Sequence, residues 1–208
     1  MYEMDSSPPP KITIASVVEG HGEVPALPIL LRRVVAEILG PQALIDIPRP
    51  HRIPKSNLIK EGGKLEQAVQ FAAAKVQEQG GILVLIDADD DCPAELGPAL
   101  LERCIDARSD KALGVVVAKY EFEAWFLAAA KSLAGTCGLS QSLSMPKNPE
   151  GIKGAKRWLT KNMTGSKAYS PTVDQPVLAN IFDLGQARNN ASSFDKFWRV
   201  VESILPTR

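Results

Sequence analysis

Apolar residues fall along the chain in two alternating textures, short runs of five to seven and longer stretches with helical spacing. The short runs are ITIASVV (12–18), ALIDI (43–47), ILVLID (82–87) and LGVVVA (113–118). Between and after them lie stretches at 24–39, 65–79, 94–108 and 121–133 whose apolar residues recur every three or four positions, the period of a helix with one buried face. The pattern predicts βαβαβαβα. Runs 82–87 and 113–118 are apolar without alternation, as strands are when helices cover both faces of a parallel sheet. Gly40-Pro41, Gly62-Gly63, Gly80-Gly81 and Cys92-Pro93 supply the breaks, with Gly80-Gly81 closing the second helix. The expected fold class is therefore α/β, a Rossmann-like parallel sheet sandwiched by helices.

Flanking segments have a different texture. MYEMDSSPPP reads as a flexible tail over 1–10, because consecutive prolines remove backbone donors and little apolar surface is left to dock. After 133 the chain turns to Gly, Ser, Pro and Lys, then resumes with amphipathic patterns near 151–163, 174–188 and 193–204. This predicts an α/β domain over 11–133 and a loop plus helical extension over 134–208, packed on it.

Composition narrows the function classes. The 208 residues carry 24 Lys+Arg against 24 Asp+Glu, so a globally basic nucleic-acid binder is not indicated and any such contact must be local. Lys147, Lys153, Lys156, Arg157, Lys161 and Lys167 face only Glu150 within their stretch. Lys153, Lys156, Arg157 and Lys161 recur at helical spacing and read either as a solvated helix face or as the candidate phosphate contacts. Three cysteines without a CxxC, and two histidines, argue against zinc and against a disulfide framework. Neither a long apolar run nor a signal-peptide pattern is present, which predicts a cytoplasmic protein that does not enter a membrane.

Chemistry is expected where strands end, because open parallel sheets bind ligands beyond their carboxyl edge. The first strand runs into Glu19-Gly20-His21-Gly22-Glu23, and the run at 82–87 ends in Asp87-Ala88-Asp89-Asp90-Asp91. If those strands are neighbours, the acids share one rim. Carboxylates so crowded raise one another's pKa unless a cation compensates, and all-oxygen ligands favour Mg²⁺ or Mn²⁺. Glu23 and Asp91 also stand where acids cap helices. Glu121 and Glu123 follow the fourth strand and stand either as further candidate ligands or as first-turn helix acids, while Trp125 and Phe126 read as core.

A strand ending in VVEG, a helix, a second strand and helix, and a third strand ending in IDAD resemble the Toprim domain of topoisomerases, primases and nucleases. The segment EGHGEVPALPILLRR is similar to nucleases of the overcoming-lysogenization type and to an uncharacterised bacterial family, domain of unknown function 4276, commonly encoded beside an ATPase. The resemblance covers roughly 11–131. It implies general acid/base chemistry for Glu19, Mg²⁺ or Mn²⁺ held by Asp87 and Asp89 with Glu19 and Glu123, a metal-site role for Glu23, and assistance from Lys119. The implied function is a metal-dependent phosphodiesterase or nuclease acting on nucleic acid, in a bacterial phage-defence system with a separately encoded ATPase, since no GxxxxGK[ST] loop is present. The alternative is a non-catalytic Toprim-shaped regulatory module of that ATPase. A homodimer is compatible with either. A receiver-type phosphoacceptor fits less well, because its aspartate normally stands alone on a different strand.

Overall fold

The structure, a computed structural model, describes residues 11–206; the tail expected over 1–10 lies outside the described residues. Five strands form one parallel sheet: β1 (Ile12–Val18), β2 (Ile45–Asp46), β3 (His51–Arg52), β4 (Gln79–Asp87) and β5 (Ala112–Ala118). The order is β2-β1-β4-β5, and β3 pairs with β1 beyond β2. Thus the first strand and the strand ending in Asp87 are neighbours, with Val18 opposite Leu85.

Strand residues alternate between two cores, as a period of two demands. Ile12, Ile14, Val18, Leu83, Leu85, Val116 and Ala118 enter one. Ala15, Val17, Ile82, Val84, Ile86, Val115 and Val117 enter the other. The second core is closed by α2 (Lys55–Ile59), α3 (Leu65–Ala73) and α4 (Pro93–Ala107). The first is closed by α1 (Glu23–Leu39) together with α5 (Ala124–Ala128), α6 (Ala130–Leu133), α7 (Ala155–Lys161), α8 (Pro171–Ile181), α9 (Leu184–Asn190) and α10 (Ser192–Ile204). The C-terminal helices therefore cover one whole face of the sheet alongside α1. Arg33 of α1 donates to the carbonyls of Ala179 and Phe182, and Trp125 donates to the Ser193 hydroxyl at 2.8 Å. Trp125, Phe126, Phe182, Phe194 and Phe197 pack as one aromatic group in this core.

Several boundaries differ from the pattern along the chain. The run 43–47 yields only β2, and β3 appears five residues later, because Pro48 and Pro50 cannot donate to a ladder and interrupt the edge. The stretch 65–79 is helical only to Ala73, and Gln79 already belongs to β4. Gly80-Gly81 therefore lies inside a strand and does not close a helix. Gly80 has φ of +108°, and a Cβ there would stand 2.0 Å from the Thr13 carbonyl oxygen on β1. The stretch 121–133 breaks at Ala129 into α5 and α6. The one at 174–188 breaks at Asp183, whose carboxylate accepts from the Gln186 N–H and starts α9. Among the described residues, no helix is long and apolar enough to cross a membrane.

Candidate functional site

Glu19 leaves the end of β1, Glu23 opens α1, Asp87 ends β4, and Glu121 and Glu123 lie in the turn between β5 and α5. The sheet order brings them to one rim. Two glycines of the EGHGE loop are there for close approach. A Cβ on Gly20 would stand 2.2 Å from Glu23 Oε2, and one on Gly22 would stand 1.7 Å from Gln175 Oε1. Gln175 of α8 donates to Glu23 Oε1 at 3.2 Å, so the C-terminal helices supply part of the rim.

Asp87 is buried, and its Oδ1 accepts from the Phe122 backbone N–H at 2.7 Å, which ties the β5–α5 turn to the end of β4. The Lys156 ammonium of α7 enters from outside the sheet. It lies 3.1 Å from Glu123 Oε2, 3.3 Å from Glu121 Oε1 and 3.6 Å from Asp87 Oδ2. Glu123 is fully buried, and its other oxygen accepts from the Tyr169 hydroxyl at 2.9 Å. A second lysine, Lys55 of α2, donates to the Ala88 carbonyl at 2.7 Å and pairs with Asp89 and Asp91 at 3.0 Å each.

Burial and mutual repulsion set the protonation of this rim. Burial pushes Glu19 up to about 7, the negative charges of Asp89 and Glu23 push the same way, and Lys55 and the Asp87 backbone amide oppose them. Asp87 is raised well above the usual carboxylate range by burial, with Lys156 opposing and Glu123, Glu23 and Glu19 adding. Glu123 is raised by burial against the pull of Lys156 and Tyr169. Burial alone would lower Lys156, but Glu123, Asp87 and Glu121 together hold it above its ordinary value.

The donor set fits a hard divalent cation: every candidate ligand is a carboxylate, and Glu19 Oε2 and Glu23 Oε2 are buried without a hydrogen-bond partner. Among the described residues, however, no three His, Cys, Asp or Glu side chains are spaced as a ready-made cage. Lys156 and Lys55 explain this. They draw Asp87, Glu121 and Glu123 to one side and Asp89 with Asp91 to the other, so an ion would require those carboxylates to turn from the lysines.

Of the residues singled out in the sequence, Glu19, Glu23, Asp87 and Glu123 interact at this rim, and Asp89 sits exposed at its margin beside Lys55. Lys119 does not join them. Its ammonium lies over the Tyr120 ring, and its side chain borders a groove formed with Ser192, Ser193 and Lys196. The basic stretch is divided: Lys156 enters the acidic rim, Lys153 pairs with Asp90, and Arg157 and Lys161 remain exposed. Lys55, Tyr169 and Gln175 were missed by sequence reasoning. None carries a local signal, since each meets its acid only through tertiary packing.

Neither a curated protein nor a solved structure matches the chain. A family profile does: the domain of unknown function DUF4276 matches residues 18–202, from the last residue of β1 to near the end of α10. The match spans the EGHGE loop, the Asp87 strand and the helices carrying Lys156, Tyr169 and Gln175, and the chain belongs to the DUF4276 family.

Proposed function

We propose that the protein is a Toprim-like, Mg²⁺- or Mn²⁺-dependent phosphodiesterase acting on nucleic acid. The observation that carries this reading is the pair of buried, unpartnered carboxylate oxygens on Glu19 and Glu23 beside the buried Asp87. Unpaired buried acceptors are costly to folding, and a rim that keeps them is suited to an arriving cation. Asp87, Glu123 and the unpartnered oxygens of Glu19 and Glu23 would hold the ion, with Asp89 reaching it from the margin. When bound, it supplies Lewis-acid polarisation of a phosphoryl oxygen and a water of lowered pKa. Glu19, whose carboxyl is pushed up to about 7 in the metal-free rim by burial and by Asp89, is the general acid/base. Lys156 pulls the inner carboxylates toward ionisation against their burial and balances charge that develops on the phosphoryl group.

The test is Mn²⁺-dependent cleavage of single-stranded and plasmid DNA by parent, Glu19→Gln and Asp87→Asn proteins. Glu19→Gln should retain much of its Mn²⁺ binding and lose about 10²- to 10⁴-fold in rate. Asp87→Asn should lose metal affinity. Cleavage that survives exhaustive chelation, or variants as active as the parent, would sink the reading.

A second reading has its own support. Lys156 and Lys55 already neutralise much of the rim without any metal, as a non-catalytic module would require. In that case the protein is the regulatory partner of a separately encoded ATPase of a defence system. Recovery of a nucleotide-binding protein on affinity purification from the native host, with no cleavage by the assembled complex, would favour it.

A further inference from the structure

A concave surface of about 600 Å³ opens directly beside the acidic rim and is lined by His21, Val24, Pro25, Arg49, Pro50, Arg52 and Thr172. Its volume is in the range of roughly 300–1,000 Å³ that holds small ligands. The chain makes it contiguous with the carboxylates. His21 lies between Glu19 and Glu23, Val24 follows Glu23, Arg52 stands opposite Val18 in the β1–β3 register, and Thr172 is three residues from Gln175. No acid lines it.

The cationic groups around the rim sort into two kinds. Lys55, Lys153 and Lys156 are each bound to carboxylates. Arg49 and Arg52 form no ion pair among the described residues, and Arg52 Nε is buried without a hydrogen-bond partner. These two guanidinium groups share one concave surface that no acid lines, and their planar donors match phosphate oxygens. A phosphodiester approaching a rim of carboxylates also needs positive charge close by to offset the repulsion. The lysines of the rim are already engaged, whereas these arginines are not.

We propose that this cradle binds the phosphate backbone of single-stranded nucleic acid next to the reacting phosphodiester. Arg52 and Arg49 contact non-bridging oxygens, His21 and Thr172 add hydrogen bonds, and Val24, Pro25 and Pro50 give an apolar wall for sugar or base. The proposal rests on the reading above for its substrate class but not for hydrolysis.

The experiment is fluorescence anisotropy of a labelled single-stranded DNA oligonucleotide with the full chain in chelator, titrated across salt concentrations. Arg49→Ala combined with Arg52→Ala should weaken binding at least tenfold and flatten the plot of log affinity against log salt by about 0.7 for each phosphate no longer neutralised. Arg52→Lys should recover part of the affinity, and Arg49→Ala alone, at an exposed position, guards against a folding artefact. Unchanged affinity and slope in the double variant would overturn the cradle. So would loss of binding in an Arg157→Ala, Lys161→Ala protein instead, or a parent that does not bind the oligonucleotide. Binding that depends on the arginines without any Mn²⁺-dependent cleavage would leave the cradle standing and remove the hydrolase. Cleavage at the parental rate and affinity by the arginine variant would do the reverse.

Discussion

The Lys156 ammonium lies 3.1 Å from Glu123 Oε2, so a side chain that reads from the sequence as part of a basic helix face is the internal counter-charge of a buried glutamate. Removing it leaves Asp87, Glu121 and Glu123 facing one another uncompensated. Breaking a buried pair costs about 3–5 kcal/mol, and because Lys156 keeps partial contact with water we expect Lys156→Met to lose about 2 kcal/mol. Thermal melts in chelator would register this as a lowered Tm. Millimolar Mn²⁺ should restore part of the loss in the variant by supplying the missing positive charge. A Tm equal to the parent's without metal would show that Lys156 is merely a solvated neighbour.

Lys119 offers the contrasting case. Its ammonium stacks over Tyr120 and has no carboxylate of the rim among its partners. Lys119→Met should leave Mn²⁺-dependent cleavage at the parental rate, while Lys156→Met, assayed on folded protein at saturating Mn²⁺, should be impaired. A large loss in the Lys119 variant alone would return the assisting role to that residue.

A purely structural prediction tests the strand assignment of 79–87. Gly80→Ala would force a Cβ to within 2.0 Å of the Thr13 carbonyl at a positive φ, so β1 and β4 must separate locally. We expect a loss of at least about 2 kcal/mol, from backbone strain of about 1–3 kcal/mol plus the disturbed ladder. Chemical denaturation would measure it. Gly62→Ala, also at positive φ but with open space around its Cβ, should cost less.

These contrasts indicate which features the sequence could disclose. β1, β4 and β5 are legible because strands buried on both faces must be apolar throughout, and Glu19 and Asp87 are legible because acids at the ends of such strands have few structural reasons to be there. β3 is hidden by Pro48 and Pro50, which make residues 48–54 read as loop after the run at 43–47. Lys156 is hidden for a different reason. With Lys153, Arg157 and Lys161 around it at helical spacing it has the periodicity of a solvent face, and only the packing of α7 and of the 3₁₀ turn Pro149–Gly151 against α5 turns it inward. Gln175 is 152 positions from Glu23, its hydrogen-bond partner, beyond the reach of any local pattern. The EGHGE glycines show the same limit from another side: their spacing is visible, but that Gly20 makes room for Glu23 and Gly22 for Gln175 is a tertiary fact.

The pH dependence of stability follows from the same crowding. Glu19 titrates at about 7 in the folded chain against 4.5 for an unperturbed glutamate. Between those values the folded state holds a proton that the unfolded state has released, so more protons are bound when folded and stability falls as pH rises. The contribution is fully present below about 4.5 and is lost on passing about 7. Asp87 is shifted in the same direction by burial and reinforces the trend. Glu66, Asp110 and Asp195 are shifted downward by arginine partners, and their stabilisation is lost only on acidification below the ordinary carboxylate range, whereas His51, lowered by burial and by Lys75, opposes the trend in the lower part of this window. Metal-free protein should therefore melt at a lower temperature at about pH 8 than at about pH 5.5, and Glu19→Gln, which has no proton to lose, should reduce that difference. Mn²⁺ should reverse the slope in the parent, because an ion and a proton compete for the same oxygens and the ion gains as the proton leaves. Melts of parent and Glu19→Gln across this range, with chelator and with Mn²⁺, decide the matter. A parental Tm that rises with pH in chelator would mean that Glu19 is ionised throughout and is not the proton carrier.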